Sequence, residues 1–228
     1  PCRAVVYKNV GCQPWILYAY GVATVTELWF NADALAFEIT FFLAVFAAMT
    51  AGIVSKKIRG AGALATLGVL AYPIVPFVIV CKLALMESSV WIPVFAIACI
   101  STWVCDSFAL FGGKRFGKHK IAPSVSPNKT VEGCICGAIS SVVTGVIVYY
   151  LSQLWLPIPF WLCVVTALLA STMGQIGDLA ESLVKRMIGV KDFSNLIPGH
   201  GGMFDRADSL LFSIPTAYLC LTVAGIIA

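Results

Sequence analysis

Residues 89–111 read SVWIPVFAIACISTWVCDSFALF, an apolar run in which Asp106 is the only charged side chain. An α-helix needs about 20 apolar residues to cross the hydrocarbon core of a bilayer. Six further runs of this kind lie at about 11–30, 35–54, 63–81, 133–156, 159–181 and 209–228. The pattern predicts an all-α fold, a polytopic bundle of about seven transmembrane helices.

The composition agrees with a membrane protein. Of the 228 residues, 60% are hydrophobic and 11% are charged, whereas a soluble domain carries about 25% charged residues. The cysteines lie mostly in apolar runs, where they are expected to act as small buried hydrophobes, and no disulfide framework is predicted. The chain begins at Pro1 rather than at Met, so we expect the natural chain to start upstream, with further helices before this point.

The basic residues are segregated along the chain. Of the 15 lysines and arginines, all but Lys82 fall in the N-terminal segment or in the loops at 55–62, 112–132 and 182–208. Short cytoplasmic loops of membrane proteins carry an excess of lysine and arginine. The segregation therefore predicts that these loops are cytoplasmic, at the inner or plasma membrane if the protein is bacterial.

Acidic residues within the apolar runs are candidates for function. Glu27, Glu38, Asp106 and Asp178 lie within or at the ends of predicted spans. A carboxylate at membrane depth is costly and normally faces a protein interior or a wet cavity. For Glu27 and Glu38, a simple polar contact or an interfacial position explains the residue as well as a functional role does.

A polar stripe is predicted on the helix that contains Gly174. Asp178, Glu181, Ser182 and Lys185 follow the spacing i, i+3, i+4 and i+7, which puts them on one helical face. Leu179 and Leu183 fall on the opposite, apolar side. The face therefore presents carboxylates, a hydroxyl and a lysine together.

The loop that follows joins more acidic residues to a glycine run. Asp205 and Asp208 are three residues apart at the start of the last span, after residues 198–202 (PGHGG). Such loops can turn successive N–H groups toward an anion, and His200 is equally suited to bonding a phosphate and to orienting the loop. Because Mg²⁺ prefers one or two carboxylates together with phosphates and water, these segments predict a site for a metal–polyphosphate complex.

The middle loop has the same character. Basic residues recur from Lys114 to Lys129, accompanied by glycines, and such a loop attracts anions. Ser126 followed by Pro127 is typical of a helix N-cap and first helical position. This predicts Lys129 and Thr130 in the first turn of the fifth span, where free N–H groups favour phosphate.

The charged loops also carry a longer ordered pattern. Its parts are Asp106–Gly113, Ser126–Gly133, Gly177–Ser182, Lys185-Arg186, Lys191-Asp192, Pro198–Gly202, Asp205-Arg206 and Asp208. In order and spacing these residues resemble the signature of the phosphatidate cytidylyltransferase family, also called the CDP-diacylglycerol synthases. The resemblance covers about the C-terminal half of the chain. The sequence differs from the family pattern at Ser107, where many relatives would carry threonine.

The resemblance implies a reaction, cofactors and partners. CTP and phosphatidic acid would give CDP-diacylglycerol and pyrophosphate, with Mg²⁺ as cofactor and room for a second, monovalent cation such as K⁺. The bilayer would be a further partner, the family implies a homodimer, and no nucleic-acid partner is expected. The hypothesis is an in-line attack of the lipid phosphate on the α-phosphorus of CTP, in an active site formed by the cytoplasmic loops.

The same resemblance assigns roles to residues. It implies metal ligation by Asp178, Asp205 and Asp208, with Asp106 as a helper. Catalytic roles are expected for Asp178, Asp205, Lys185 and Arg206. The expected substrate-binding residues are Asp106, Ser126, Lys129, Thr130, Ser182, Arg186, Lys191, His200, Gly201 and Gly202. We expect residues 1–105 to form N-terminal transmembrane helices and residues 106–228 to form the catalytic region.

Two other functions stay open. A CTP-dependent lipid kinase acting on an isoprenoid alcohol would use similar basic loops and a metal, but it would release CDP rather than pyrophosphate. A membrane transporter would use the intramembrane carboxylates as an ion path. Against a transporter, no internal repeat relates two halves of the chain, and the acidic residues concentrate at one face.

Overall fold

Helices dominate the computed structural model, which describes residues 13–30, 34–54, 59–154, 156–188 and 207–227. The helices are α1 (Pro14–Trp29), α2 (Ala34–Val54), α3 (Arg59–Val69), α4 (Val75–Ala84), α5 (Ser88–Phe116), α6 (Val131–Ser152), α7 (Phe160–Ile188) and α8 (Leu210–Val223). Two short strands, β1 (Lys120–Ala122) and β2 (Ser126–Thr130), pair between α5 and α6. The predicted all-α polytopic fold is confirmed.

Five helical stretches of the described residues are long and apolar enough to cross a membrane. They are Leu35–Val54, Ala61–Ala84, Ser88–Phe116, Val131–Ser152 and Phe160–Arg186. The first and last predicted runs contain shorter helices, since α1 has 16 residues and α8 has 14. The chain is therefore an integral membrane protein, and each predicted apolar run contains a helix.

The third predicted span is interrupted in its middle. Helices α3 and α4 flank Leu70–Ile74, where the backbone of Tyr72 is extended at φ −136° and ψ 111°. The ring of a proline disfavours helical geometry in the residue before it and supplies no N–H to the helix. Pro73 thus explains why the helix breaks at Tyr72.

The chain divides into two compact units, Pro1–Lys82 and Leu83–Ala228. In the first unit, Ile16, Leu17 and Tyr20 of α1 pack with buried alanines of α2 and with Leu70. The hydroxyl of Thr40 donates a hydrogen bond to the Glu27 carboxylate, joining α2 to α1. For Glu27 this contact supports the structural explanation over the functional one.

In the second unit, close helix packing depends on glycines of α6. A Cβ atom added at Gly133 would lie 2.6 Å from the carbonyl oxygen of Ala109, and one at Gly137 would lie 2.9 Å from that of Cys105. A Cβ at Gly145 would lie 2.7 Å from the Cα atom of Val164 in α7. Small residues let transmembrane helices approach in this way, so α6 contacts both α5 and α7 closely.

The prediction for the start of the fifth span was wrong. Ser126 is not an N-cap and Pro127 is not the first helical residue, because Ser126–Thr130 forms strand β2 and pairs antiparallel with β1. The N-cap is Thr130, whose Oγ1 accepts a hydrogen bond from the N–H of Gly133 at 3.2 Å. The Ser-Pro pair is equally compatible with an exposed edge strand, where proline costs no ladder bond, and the cap by Thr130 starts the helix later.

Candidate active site

A cavity of about 940 Å³ lies in the second unit, at the end of α5 and beside the β1–β2 hairpin. Its charged lining consists of Asp106, Asp178, Asp208, Lys114, Lys120, Lys129 and Lys185. Trp103, Ala109, Leu110 and Leu210 contribute an apolar wall to the same cavity. The cavity therefore offers carboxylates, ammonium groups and an apolar surface within one space.

An ion pair connects the hairpin to α7 across this cavity. The Nζ atom of Lys129 in β2 lies 2.7 Å from Oδ2 of Asp178 and donates a hydrogen bond to the carbonyl oxygen of Gln175 at 3.2 Å. Both side chains keep some contact with solvent, at 21% and 32% exposure. Lys129 and Asp178, predicted from separate loops, thus meet in the structure, and both remain accessible to a ligand.

Glu181 on α7 is a fully buried carboxylate beside the cavity, and it is not among the described residues that line it. Its side chain has 0% exposure, and Nζ of Lys185, one helical turn later, lies 2.8 Å from its Oε2. A buried carboxylate needs such a partner because desolvation of an unpaired charge is costly. Glu181 lies on the predicted polar stripe, but the sequence interpretation did not assign it a role at the site.

Three carboxylates come together beside the cavity, and two of them, Asp178 and Asp208, line it. Oxygen atoms of Asp178, Glu181 and Asp208 lie within 4.8 Å of one another. Oxygen donors in this number suit a hard divalent cation such as Mg²⁺. Of the metal ligands expected from the resemblance, Asp178 and Asp208 are therefore adjacent, with Glu181 as an unforeseen third member.

Gly177 accounts for the close approach of Asp208 to α7. A Cβ atom on Gly177 would lie 2.9 Å from the carbonyl oxygen of Asp208 and 2.9 Å from Cδ2 of Phe212. The Asp208 carboxylate in turn accepts a hydrogen bond from the N–H of Ser209 at 2.7 Å. The absence of a side chain at position 177 thus lets the acidic cluster form.

Asp106 enters the cavity from α5, next to a contact that joins α5 to α7. Nε2 of Gln175 donates to Sγ of Cys105 at 2.8 Å, and Gln175 also lines the cavity. Gln175 was not among the predicted site residues. It could have been suspected only from its position one turn before Asp178 in an apolar helix.

The other predicted substrate-binding residues have different positions. Thr130 lines the cavity while capping α6. Arg186 is exposed, and its Nε donates to the carbonyl oxygen of Val125 in the hairpin turn at 3.3 Å. Ser126 and Ser182 are partly buried, at the start of β2 and on α7. The predicted residues Lys191, His200, Gly201, Gly202, Asp205 and Arg206 lie outside the described residues.

Two hairpin residues that line the cavity were not among the predicted site residues. Lys120 in β1 and Asn128 in β2 line the cavity beside Lys129. The sequence indicated an anion-attracting loop here, but a helical reading of residues 126–130 hid which side chains share a face. The pairing of Lys120 with Thr130 across the hairpin brings the two strands to the cavity together, and the helical interpretation did not include this pairing.

The fold and the cavity define a polytopic membrane protein with an acidic cluster and basic side chains facing one space. This chain belongs to the cytidylyltransferase family, whose sequence model matches residues 4–224.

Individual relatives carry a more specific name. The chain is 46% identical over 126 residues to a phosphatidate cytidylyltransferase of Bacillus subtilis (strain 168), covering 55% of this chain and 46% of that protein. It is 41% identical over 124 residues to the phosphatidate cytidylyltransferase of Staphylococcus haemolyticus (strain JCSC1435), covering 54% and 47%. The chain spans about half the length of the curated relatives it matches.

Proposed function

We propose that the protein is a phosphatidate cytidylyltransferase, which transfers the cytidylyl group of CTP to phosphatidic acid. The observation that carries the proposal is the cluster of Asp178, Glu181 and Asp208 within 4.8 Å, of which Asp178 and Asp208 line one cavity together with Lys129 and Lys185. Membership of the cytidylyltransferase family and the names of the relatives support the choice of substrates. The apolar wall of the cavity suits a substrate that stays partly in lipid.

The chemistry proposed for this cavity needs no covalent enzyme intermediate. A phosphate oxygen of phosphatidic acid is anionic at neutral pH and can attack the α-phosphorus of CTP directly. A new P–O bond forms there, the bond from the α-phosphorus to the oxygen bridging to the β-phosphate breaks, and pyrophosphate leaves with that oxygen. Catalysis of such transfers is mostly positioning and charge neutralisation, which Lys129 and Lys185 are placed to provide.

The proposal includes Mg²⁺, because the donor set fits it. Hard oxygen donors from Asp178, Glu181 and Asp208 match the ligand preference of this ion. When bound, Mg²⁺ would neutralise triphosphate charge and stabilise the departing pyrophosphate. Asp205, expected as a ligand from the resemblance, stays a prediction.

We also propose that the cavity opens to the cytoplasm. The basic residues around it support this orientation, since Lys114, Lys120, Lys129 and Lys185 all lie at its rim or lining. The soluble substrate CTP would reach the cavity from that side, while phosphatidic acid would keep its acyl chains in the bilayer.

The deciding experiment supplies purified full-length protein with CTP and phosphatidic acid in detergent or nanodiscs. We expect CDP-diacylglycerol and pyrophosphate in equal amounts, and no product when Mg²⁺ is chelated. Asp178→Asn should lower the rate at least about 100-fold, since even changes outside a metal's ligand shell cost about 10- to 100-fold. Glu87→Gln, an exposed glutamate at the start of α5, is the matched control and should keep full activity.

Other products would point elsewhere. Release of CDP with phosphorylation of an isoprenoid alcohol would replace the proposal by the lipid-kinase function. Ion or solute flux in liposomes without CTP turnover would favour a transporter. Full activity of a folded Asp178→Asn variant would refute the role given to the acidic cluster.

A further inference from the structure

The β1–β2 hairpin supplies much of the polar wall of the cavity. Lys120, Asn128, Lys129 and Thr130 all line the cavity, and they belong to this hairpin. A two-stranded ribbon is marginally stable by itself, and the pairing here is irregular between Lys120 and Ala122. Contacts outside the ribbon must therefore determine where its lysines lie.

Glu132 ties the segment before β1 to the first turn of α6. Its Oε2 accepts hydrogen bonds from the backbone N–H of Lys118 at 3.0 Å and of His119 at 3.2 Å. Its Oε1 lies 3.2 Å from the same His119 nitrogen and 2.6 Å from Nδ1 of the His119 ring. The carbonyl oxygen of His119 accepts from the N–H of Val131 at 2.9 Å, which completes the closure of the hairpin base.

Arg186 contacts the opposite end of the hairpin. Its Nε donates to the carbonyl oxygen of Val125 in the turn at 3.3 Å, and Arg186 lies on α7, the helix that also carries Asp178. Between these two ends, Lys129 pairs with Asp178 at 2.7 Å. The hairpin is thus tied at its base, at its turn, and by the lysine in between.

We infer that Glu132 is a positioning residue that acts on the ligand through Lys129, a role that rests on the proposed function. A polyphosphate that binds Lys129 competes with Asp178 for the same ammonium group. While that pair is open, Glu132 at the base and Arg186 at the turn keep β2 beside α7. Glu132 is not itself among the described residues that line the cavity, so its effect passes through the hairpin.

Glu132→Ala in the full-length protein tests this role. Hydrogen bonds that an ionised carboxylate accepts are stronger than neutral ones, so their loss in Glu132→Ala should free the base of the hairpin. We expect the dissociation constant and the KM for CTP to rise about tenfold, with kcat changed by less than about threefold. Amide hydrogen exchange should accelerate in residues 117–130 and stay unchanged in residues 160–188.

Three further comparisons test whether Glu132 acts through its carboxylate and through Lys129. Glu132→Gln keeps one acceptor oxygen and should give an intermediate CTP affinity. Glu87→Ala removes an exposed glutamate at the start of another helix and should change neither affinity nor exchange. If Glu132 acts through Lys129, Glu132→Ala should weaken CTP binding much less in a Lys129→Ala background than in the wild type, because such effects are not additive.

The outcomes separate this inference from the proposed function. Unchanged CTP affinity in Glu132→Ala, with or without faster exchange in the hairpin, overturns the positioning role. A full effect of Glu132→Ala in the Lys129→Ala background also overturns it. Wild-type protein that binds CTP but forms no CDP-diacylglycerol refutes the proposed function alone, and wild-type protein that does not bind CTP refutes both.

Discussion

Glu181 and Lys185 show how burial decides the role of single residues. The Glu181 carboxylate is fully buried, and the Lys185 side chain is 13% exposed at 2.8 Å from it. An i, i+4 pair on a helix surface is worth a few tenths of a kcal/mol, whereas leaving a buried polar group without its partner costs about 1–3 kcal/mol. The contribution of the Glu181–Lys185 pair to stability is therefore expected to be that of a buried pair, not of a surface pair.

We predict that Lys185→Met destabilises the protein by about 1–3 kcal/mol, because the fully buried Glu181 carboxyl group then lacks its ammonium partner. Thermal unfolding in detergent should show a clearly lower midpoint for this variant. The double variant Lys185→Met/Glu181→Gln removes the ionisable carboxyl group as well and should recover most of the loss. A single variant as stable as the wild type would mean that the pair contributes no net stability.

The sequence indicated the polar stripe of α7 but not the roles within it. The spacing of Asp178, Glu181 and Lys185 predicts a shared face, and α7 is helical across all three. Which carboxylate is buried depends on what packs against that face. Asp208 reaches it from a segment 27 residues beyond Glu181 (208 − 181), and no local pattern encodes that contact.

At the scale of elements, Gly177 controls the contact between α7 and the residues preceding α8. The added Cβ of Gly177→Ala would meet the backbone oxygen of Asp208 at 2.9 Å, and a backbone group cannot turn aside as a flexible side chain can. Asp208 would then move away from Asp178 and Glu181. The change acts on the geometry of the acidic cluster without touching a carboxylate.

We therefore predict that Gly177→Ala raises the Mg²⁺ concentration for half-maximal activity about tenfold, a typical cost of changes around a metal site. Binding of Mn²⁺, followed by electron paramagnetic resonance without substrates, should weaken in parallel. Gly68→Ala in α3 meets no atom within 4 Å and serves as the matched control with unchanged metal dependence. Equal metal affinity in both variants would contradict the close-approach argument.

The hairpin marks the limit of sequence-based prediction for elements. Ser126-Pro127 satisfies the preferences of a helix start, and the actual cap, Thr130, also satisfies them, with its Oγ1 bonded to the N–H of Gly133. Local preference alone does not choose between the two. The choice follows from pairing with β1 and from Glu132, whose contacts with Lys118 and His119 close the hairpin base.

At the scale of the whole molecule, hydropathy predicts more of the fold than any motif does. Each apolar run of the sequence contains a helix in the described residues, because burial of backbone polar groups in lipid leaves few other structures. The break at Tyr72 follows from Pro73. Hydropathy does not predict how the site is assembled, because the site joins α5, the hairpin, α7 and the residues before α8 through contacts distant in sequence.

The orientation of the chain gives the last prediction. Helix α5 has 29 residues, so it extends about 43 Å at 1.5 Å per residue and can cross a hydrocarbon core of about 30 Å. Glu87 precedes α5 and Lys118 follows it, and both are exposed. In a cysteine-free background, a membrane-impermeant thiol reagent applied to intact cells should label Glu87→Cys but not Lys118→Cys. Inverted vesicles should show the reverse, with labelling of Lys118→Cys but not of Glu87→Cys. Labelling of both positions from the same side would mean that α5 does not span the bilayer. The cavity could then not face the cytoplasm in the proposed way.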